Sequence, residues 1–234
     1  MNIEVGSGVL SKSKIMHHVE EVGDIVIDPY NPKNVGSTSY DVTLGEYYCT
    51  PLHPKFALNI YNPYKKSDVQ RVWGQPERAP LAKEIAKYGS PLDLFGARDD
   101  DRVILIPPRE LYLCHTNEFI GSRRFAAEMQ GRSSWGRNFI EICRDAQWGG
   151  LYLNRWTMEV ANTSDRYWIP LIVGRRIAQI VFHEVSGLES TDATSSDTKY
   201  QSVDELETIK AKWTPEAMLP RLYDDREVKE LFSL

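Results

Sequence analysis

Gly131-Arg132-Ser133-Ser134-Trp135-Gly136-Arg137 and, further along, Trp156-Thr157-Met158-Glu159-Val160-Ala161 are the stretches around which the chain is organised. The second reads as a half-buried strand, in which side chains alternate between faces. Trp156, Met158 and Val160 then share an apolar face, and Thr157, Glu159 and Ala161 share the other. The first is a turn bracketed by Gly131 and Gly136. It offers backbone amides to an anion, and Arg132 and Arg137 add planar guanidinium forks suited to phosphate. A carboxylate such as Glu159 beside a phosphate-binding turn is placed for general-base chemistry on the rest of a nucleotide. The bland alternative is an exposed carboxylate beside a Ser-rich turn.

Outward from these stretches, strands with intervening turns are expected at Val103 to Ile106, Leu111 to Thr116, Ala126 to Gln130, Ile140 to Cys143, Trp156 to Ala161, Tyr167 to Leu171 and Ile177 to Val185. Many short strands without helices between them predict an all-β barrel or sandwich. Upstream, Lys12 to Val22 has the spacing of a short helix capped by Ser11 or Ser13, and Gly23 permits its exit. Ile25 to Ile27 and Tyr40 to Tyr48 read as strands, with Gly36 and Gly45 as punctuation. Residues 61 to 101 read as an insertion with a helix at Leu81 to Tyr88. Its Asp99-Asp100-Asp101 run is an exposed charged loop rather than a metal site. Val203 to Leu234 reads as helices at Val203 to Trp213, Pro215 to Leu219 and Asp224 to Phe232. Leu206, Ile209 and Trp213 fall at the spacing of a face that docks on the barrel.

Composition narrows the function. The 234 residues, 41% of them hydrophobic, suit one domain with decorations. A net charge of -5 argues against a nucleic-acid surface. Neither a membrane-length apolar run nor a signal peptide is apparent, so a cytoplasmic protein is expected. Cys49, Cys114 and Cys143 form no Cys-x-x-Cys pair, and the His-x-Glu and Pro-Cys-x-x-Cys signatures of zinc deaminases are missing. Chemistry without zinc is therefore expected. The histidines are scattered and read as surface or packing residues.

Gly131 to Arg137, then Ala146-Gln147-Trp148, Thr157 to Asn162 and Gly174-Arg175-Arg176-Ile177-Ala178-Gln179-Ile180-Val181-Phe182 resemble, in that order, the core of the dCTP deaminase branch of the dUTPase-like superfamily. Ser39-Tyr40-Asp41-Val42-Thr43-Leu44-Gly45, Ile106-Pro107-Pro108-Arg109-Glu110 and Thr116-Asn117-Glu118 add to the likeness. The resemblance implies a distorted jelly-roll barrel spanning 1–201, with the insertion 61–101 and a helical extension 202–234. It implies a homotrimer with sites built between subunits. It also implies that Glu159 is the general base that deaminates dCTP to dUTP and ammonia, helped by Ser133 and Arg137. Arg132 and Ser134 would contact phosphates, and Ala146, Gln147 and Trp148 would lie along the loop reading the pyrimidine edge. Lys199, Tyr200 and Gln201 would form the arm closing on the triphosphate, with Mg²⁺ neutralising its charge.

One departure concerns the sugar. The family's carboxylate for the 3′-hydroxyl is missing from Trp148-Gly149-Gly150-Leu151-Tyr152-Leu153-Asn154, where Asp145 or Asn154 are the available substitutes. The matching residue activates water in dUTPases, so its absence weighs against a bifunctional or dUTPase-like hydrolase forming dUMP. A non-catalytic nucleotide-binding or interaction relative is the third possibility. Asp41 reads as a structural hydrogen-bond acceptor and stands outside the active set.

Overall fold

The computed structural model describes residues 8–52, 60–87, 96–143, 145–147, 152–185 and 205–225. The amino-terminal helix α1 (Lys12–His17) is capped by Ser11, whose hydroxyl accepts the Lys14 N–H. The expected helix to Val22 loses its α-form at His18 and continues as a π-helical turn, His18–Val22. Gly23 ends it at φ 77°, a left-handed conformation that a residue without Cβ adopts at little cost.

The strands then follow as β1 (Ile25–Asp28), β2 (Tyr40–Cys49), β3 (Glu77–Arg78), β4 (Val103–Ile106), β5 (Leu111–Ser122), β6 (Ala126–Gly131), β7 (Ile140–Ile142), β8 (Asp145–Gln147), β9 (Tyr152–Asn162), β10 (Ile169–Ile172) and β11 (Arg176–His183). Helices α2 (Lys66–Val72), α3 (Ala82–Lys87), α4 (Ser133–Gly136) and α5 (Leu206–Lys212) are short. The main sheet runs β7-β9-β5-β2-β11-β6-β8, with β1 added on β5 and β3 on β2. Strand β6 leads through α4 into β7 at the opposite end of this order, and the two strands touch, so the sheet curls toward closure. A two-stranded sheet of β4 and β10 sends Ile104, Ile106 and Leu171 into the same core. This is the mostly β, barrel-like architecture expected from the spacing of the strands.

Alternation decides which side faces the core. On β9, Trp156, Met158 and Val160 are buried, while Thr157, Glu159 and Ala161 lie on the other face. On β2, Tyr40, Val42 and Leu44 alternate inward in the same way. Trp156, Tyr40 and Phe182 are among the largest fully buried side chains. Each such burial contributes roughly 1.5–3 kcal/mol.

Two elements run past their expected ends because bulges carry them. The β5–β9 pairing shifts register between His115 and Phe119, and the β2–β5 pairing shifts between Leu44 and Tyr48. Thr116 and Glu118 brace these irregularities. The Thr116 hydroxyl donates to the Glu118 carbonyl at 2.8 Å and accepts the Trp156 N–H at 2.9 Å. The buried Glu118 carboxylate accepts the Thr43 N–H at 2.9 Å and the Thr43 hydroxyl at 2.8 Å. Gly45 stands inside β2, as the expected strand Tyr40 to Tyr48 has it, at a place where the His115 ring lies against the backbone. A Cβ there would come within 2.0 Å of that ring.

The insertion is more structured than expected. It holds α2 and the β3 edge strand as well as the helix at Ala82–Lys87. In its Asp run, Asp101 pairs with Arg98 at 3.0 Å, as an exposed charged loop should. The carboxy-terminal segment docks through Ile209 and Met218, both buried. Its expected second helix is a 3-10 turn, Pro215–Met218, and a further one spans Leu222–Asp224. Residues of the expected last helix beyond 225 lie outside the described residues. Cys49, Leu113 and Met218 form a small second cluster with Trp73 of the insertion and Leu219 of the carboxy-terminal segment. The two additions thus meet over β2 and β5, where Lys66 also stands 5.8 Å from the Tyr223 ring centre.

Candidate functional site

The Gly-Arg-Ser-Ser turn leaves β6 at Gly131, whose Cα partner on β11 is Ala178. Asp41 on β2 pairs with Gln179 on the other side of β11. Strand β11 therefore places Arg132, Asp41 and its own first residue, Arg176, side by side. The Asp41 carboxylate bridges the two guanidinium groups: Oδ2 lies 2.9 Å from Arg176 Nη1 and Oδ1 lies 3.4 Å from Arg132 Nε. Its side chain is 14% exposed, so this carboxylate is drawn largely out of water and held by two cations. A buried acidic group is tolerable in such company.

A cleft of about 510 Å³ opens beside this bridge, lined among others by Thr43, Arg132, Ser134, Trp135, Arg175 and Arg176. Asn34 of the 3-10 turn Pro32–Asn34, Asn31 that caps this turn, and Asn138 add to its polar wall. The floor is rigid for identifiable reasons. Thr43 is held by the buried Glu118 from beneath. Gly174, at φ 80°, turns the chain so that its N–H donates to the Leu44 carbonyl at 2.8 Å, and the Leu44 N–H donates to the Arg175 carbonyl at 2.9 Å. Burial raises the pKa of Glu118, against the opposing effect of its two bonds from Thr43. Three cations and several neutral donors with a single bridging carboxylate make a surface for a multiply charged anion.

The predicted residues divide into groups. Arg132 and Ser134 both line the cleft. Ser133 opens α4 and Arg137 caps its end; both are exposed, and the Arg137 N–H donates to the Ser133 carbonyl. Glu159 is half-buried on the outer face of β9, opposite Leu113, and its carbonyl accepts the Cys143 N–H at 3.1 Å. None of Ser133, Arg137 and Glu159 lines the cleft that holds Arg132 and Ser134. Ala146 and Gln147, expected on a loop, instead form part of strand β8, paired with Glu128 and Ala127 of β6. Their backbone groups on that side are committed to the ladder. Trp148, Lys199, Tyr200 and Gln201 lie outside the described residues, as does the Gly149-Gly150 segment where the family carboxylate is missing. Of the two substitutes, Asn154 directs its side-chain oxygen to the Arg155 N–H at 2.8 Å.

Residues at the cleft that the sequence reading did not name as site residues include Asp41, which bridges two of its arginines, and the lining cations Arg175 and Arg176. The signal for the last two was present, as two adjacent cations between Gly174 and an apolar strand. Asp41 gave none, because only pairing across β11 brings it to the arginines. Asn162, by contrast, proves structural. Its amide donates to the Ile106 and Tyr167 carbonyls and its oxygen accepts the Ser164 N–H.

Mg²⁺ was expected only with the triphosphate. Among the described residues no group of three or more His, Cys, Asp or Glu is placed to hold a metal ion, and Asp41 is engaged by both arginines.

Comparison with known proteins gives a consistent picture. The dCTP deaminase-like family profile matches residues 9–185. The chain is 26% identical over 180 residues to the "dCTP deaminase, dUMP-forming" of Clostridium botulinum (strain Eklund 17B / Type B), covering 76% of this chain and 84% of that protein. It is 26% identical over 208 residues to the "dCTP deaminase" of Rhodopirellula baltica, covering 88% and 83% respectively. Among solved structures, the 2'-deoxycytidine 5'-triphosphate deaminase from Agrobacterium tumefaciens is similar with a TM-score of 0.50 at 16% identity, over 77% of this chain and 49% of that one. That likeness concerns the fold. The chain belongs to the dCTP deaminase-like family.

Proposed function

We propose that this member of the dCTP deaminase-like family hydrolytically deaminates dCTP to dUTP and ammonia. The observation that carries the reading is the cleft in which Arg132, Arg175 and Arg176 converge beside Ser134 and Thr43. It suits a triphosphate, whose charge demands several guanidinium and hydroxyl partners.

In this mechanism Glu159 accepts a proton from water as the oxygen adds to C4 of cytosine. It passes that proton to N3, then takes the proton of the new C4 hydroxyl and gives it to the amine, which leaves as ammonia as the C4 carbonyl forms. Ser133 and Arg137 orient the water and the base and stabilise the tetrahedral intermediate by fixed hydrogen bonds. Mg²⁺, when bound with the nucleotide, neutralises phosphate charge. The cleft and Glu159 are separate within one chain, and this separation supports a homotrimer in which one copy supplies the phosphate cleft and another supplies Glu159.

A second reading, that the chain carries dUTP on to dUMP and pyrophosphate, is favoured by the names of relatives such as the Clostridium botulinum protein. The carboxylate missing between Trp148 and Asn154 weighs against it. The test is to incubate the protein with dCTP and Mg²⁺ and to resolve products by chromatography, with dUTP and dCMP in parallel. Accumulation of dUTP with one ammonia each supports the first reading. Appearance of dUMP and pyrophosphate from dCTP supports the second. Absence of turnover of all three substrates defeats both.

A further inference from the structure

The two arginine-bearing turns of the cleft come from distant parts of the chain, and one side chain ties them together. The Trp135 indole N–H donates to the Arg176 carbonyl at 3.0 Å. Its own backbone N–H donates to the Arg132 carbonyl at 2.9 Å. Arg176 and Arg132 then meet again through the Asp41 carboxylate. The contacts close a ring: Arg132 backbone, Trp135, Arg176 backbone, Arg176 guanidinium, Asp41, Arg132 guanidinium. The Trp135 ring is half-buried against the core and also forms part of the cleft wall, so it cannot swing without disturbing both turns.

We propose that Trp135 is a positioning residue. It fixes the Gly-Arg-Ser-Ser turn against the start of β11, so that the guanidinium groups of Arg132 and Arg176 are set at one spacing before an anion arrives. Such preorganisation lowers the ordering cost of binding. Asp41 joins only the tips of the two side chains, and the β6–β11 ladder ends at Gly131 and Ala178, so Trp135 is the contact that ties the turn beyond Gly131 to the start of β11. The indole N–H holds the backbone, and it is the only donor on that ring. The inference rests on the triphosphate reading of the cleft.

The test uses the full chain and two variants. Trp135→Phe keeps an aromatic ring and removes the donor; Trp135→Leu removes ring and donor together. Inorganic tripolyphosphate binding is measured by calorimetry, and KM and kcat are measured with dCTP. Loss of one neutral hydrogen bond that orders charged groups should weaken tripolyphosphate binding and raise KM about threefold to tenfold in Trp135→Phe. The change in kcat should stay within about twofold, because the reacting atoms lie elsewhere. Trp135→Leu should show a larger rise in KM and a lower melting temperature. Equal tripolyphosphate affinity for the wild type and Trp135→Phe overturns the positioning role while leaving the cleft assignment intact. Failure of the wild type to bind tripolyphosphate overturns both. A fall in kcat at unchanged KM also overturns the proposal, since it would place Trp135 in the chemistry.

Discussion

The Arg155 guanidinium lies 4.6 Å from the centre of the Trp213 ring, with the Phe119 ring 4.8 Å away from it. This strand cation between two aromatic rings pins the carboxy-terminal segment to the barrel, together with the 2.9 Å ion pair of Lys210 with Asp28. Burial lowers the pKa of Arg155, the expected consequence of covering a cation with apolar rings. Trp213→Ala should therefore destabilise the protein by about 2–4 kcal/mol through lost packing and lost cation–π contact. It should also expose the segment from Glu205 onward to protease. Urea denaturation and limited proteolysis check this, and unchanged midpoint and cleavage pattern would show that the segment does not depend on Trp213.

His115 should give the fold a pH dependence of definite sign. Its Nδ1–H donates to the Thr116 carbonyl at 2.7 Å and its Nε2 accepts the Tyr47 N–H at 3.2 Å, so the native ring is neutral. Burial lowers its pKa from 6.5 to about 4. The unfolded chain takes up the proton first as pH falls, so stability declines between pH 6.5 and about 4 and levels off below. The full loss is on the order of 3 kcal/mol. Glu118, with its raised pKa, acts in the opposite sense, because its protonation favours the folded form. Comparing His115→Gln with the wild type across this range isolates the histidine, and parallel stability curves would refute its part.

Gly45→Ala should be costly for a steric reason alone. The added Cβ would sit 2.0 Å from the His115 ring, which is itself fixed by two hydrogen bonds. A loss of about 2–4 kcal/mol is expected. Combining it with His115→Ala should cost less than the sum of the two single changes, since the clash is then relieved. Additive losses in chemical denaturation would mean that the strain is absorbed elsewhere.

Arg132→Met should raise KM for dCTP by about tenfold to a hundredfold, the range for losing a hydrogen bond to a charged group, with a smaller effect on kcat. It should also flatten the dependence of KM on salt. Steady-state kinetics at two ionic strengths test this; unchanged KM would remove Arg132 from the phosphate contacts.

Glu159→Gln should reduce kcat by about two to four orders of magnitude while leaving nucleotide binding nearly intact. Mixing it with Arg132→Met under conditions that exchange subunits should restore activity beyond the sum of the two, because some sites would then combine an intact cleft with an intact carboxylate. No gain on mixing would place both groups of each site in one chain.

The strand alternation at Trp156 to Val160, the Gly23 exit, the Ser11 cap and the docking of Ile209 were legible in the sequence. Each follows from local geometry: period two along a strand, or the backbone preference of a single residue. Strand ends were less so, since β5 and β9 continue through bulges that only the partner strand defines. The neighbourhood of Arg132 and Ser134 was legible because both lie within one short Gly-flanked turn, and both line the cleft.

The sequence by itself determined that the chain is β-rich and barrel-like, with two arginines and two serines in one Gly-flanked turn and a carboxylate on an otherwise apolar strand, because these are properties of neighbouring residues. Only the tertiary structure decided that Asp41 joins Arg132 to Arg176, that the insertion and the carboxy-terminal segment share one cluster, and that Glu159 stands apart from the cleft within its own chain. Those relations depend on which strands pair across β11 and on which way each pleat faces, and separation along the chain carries no record of either.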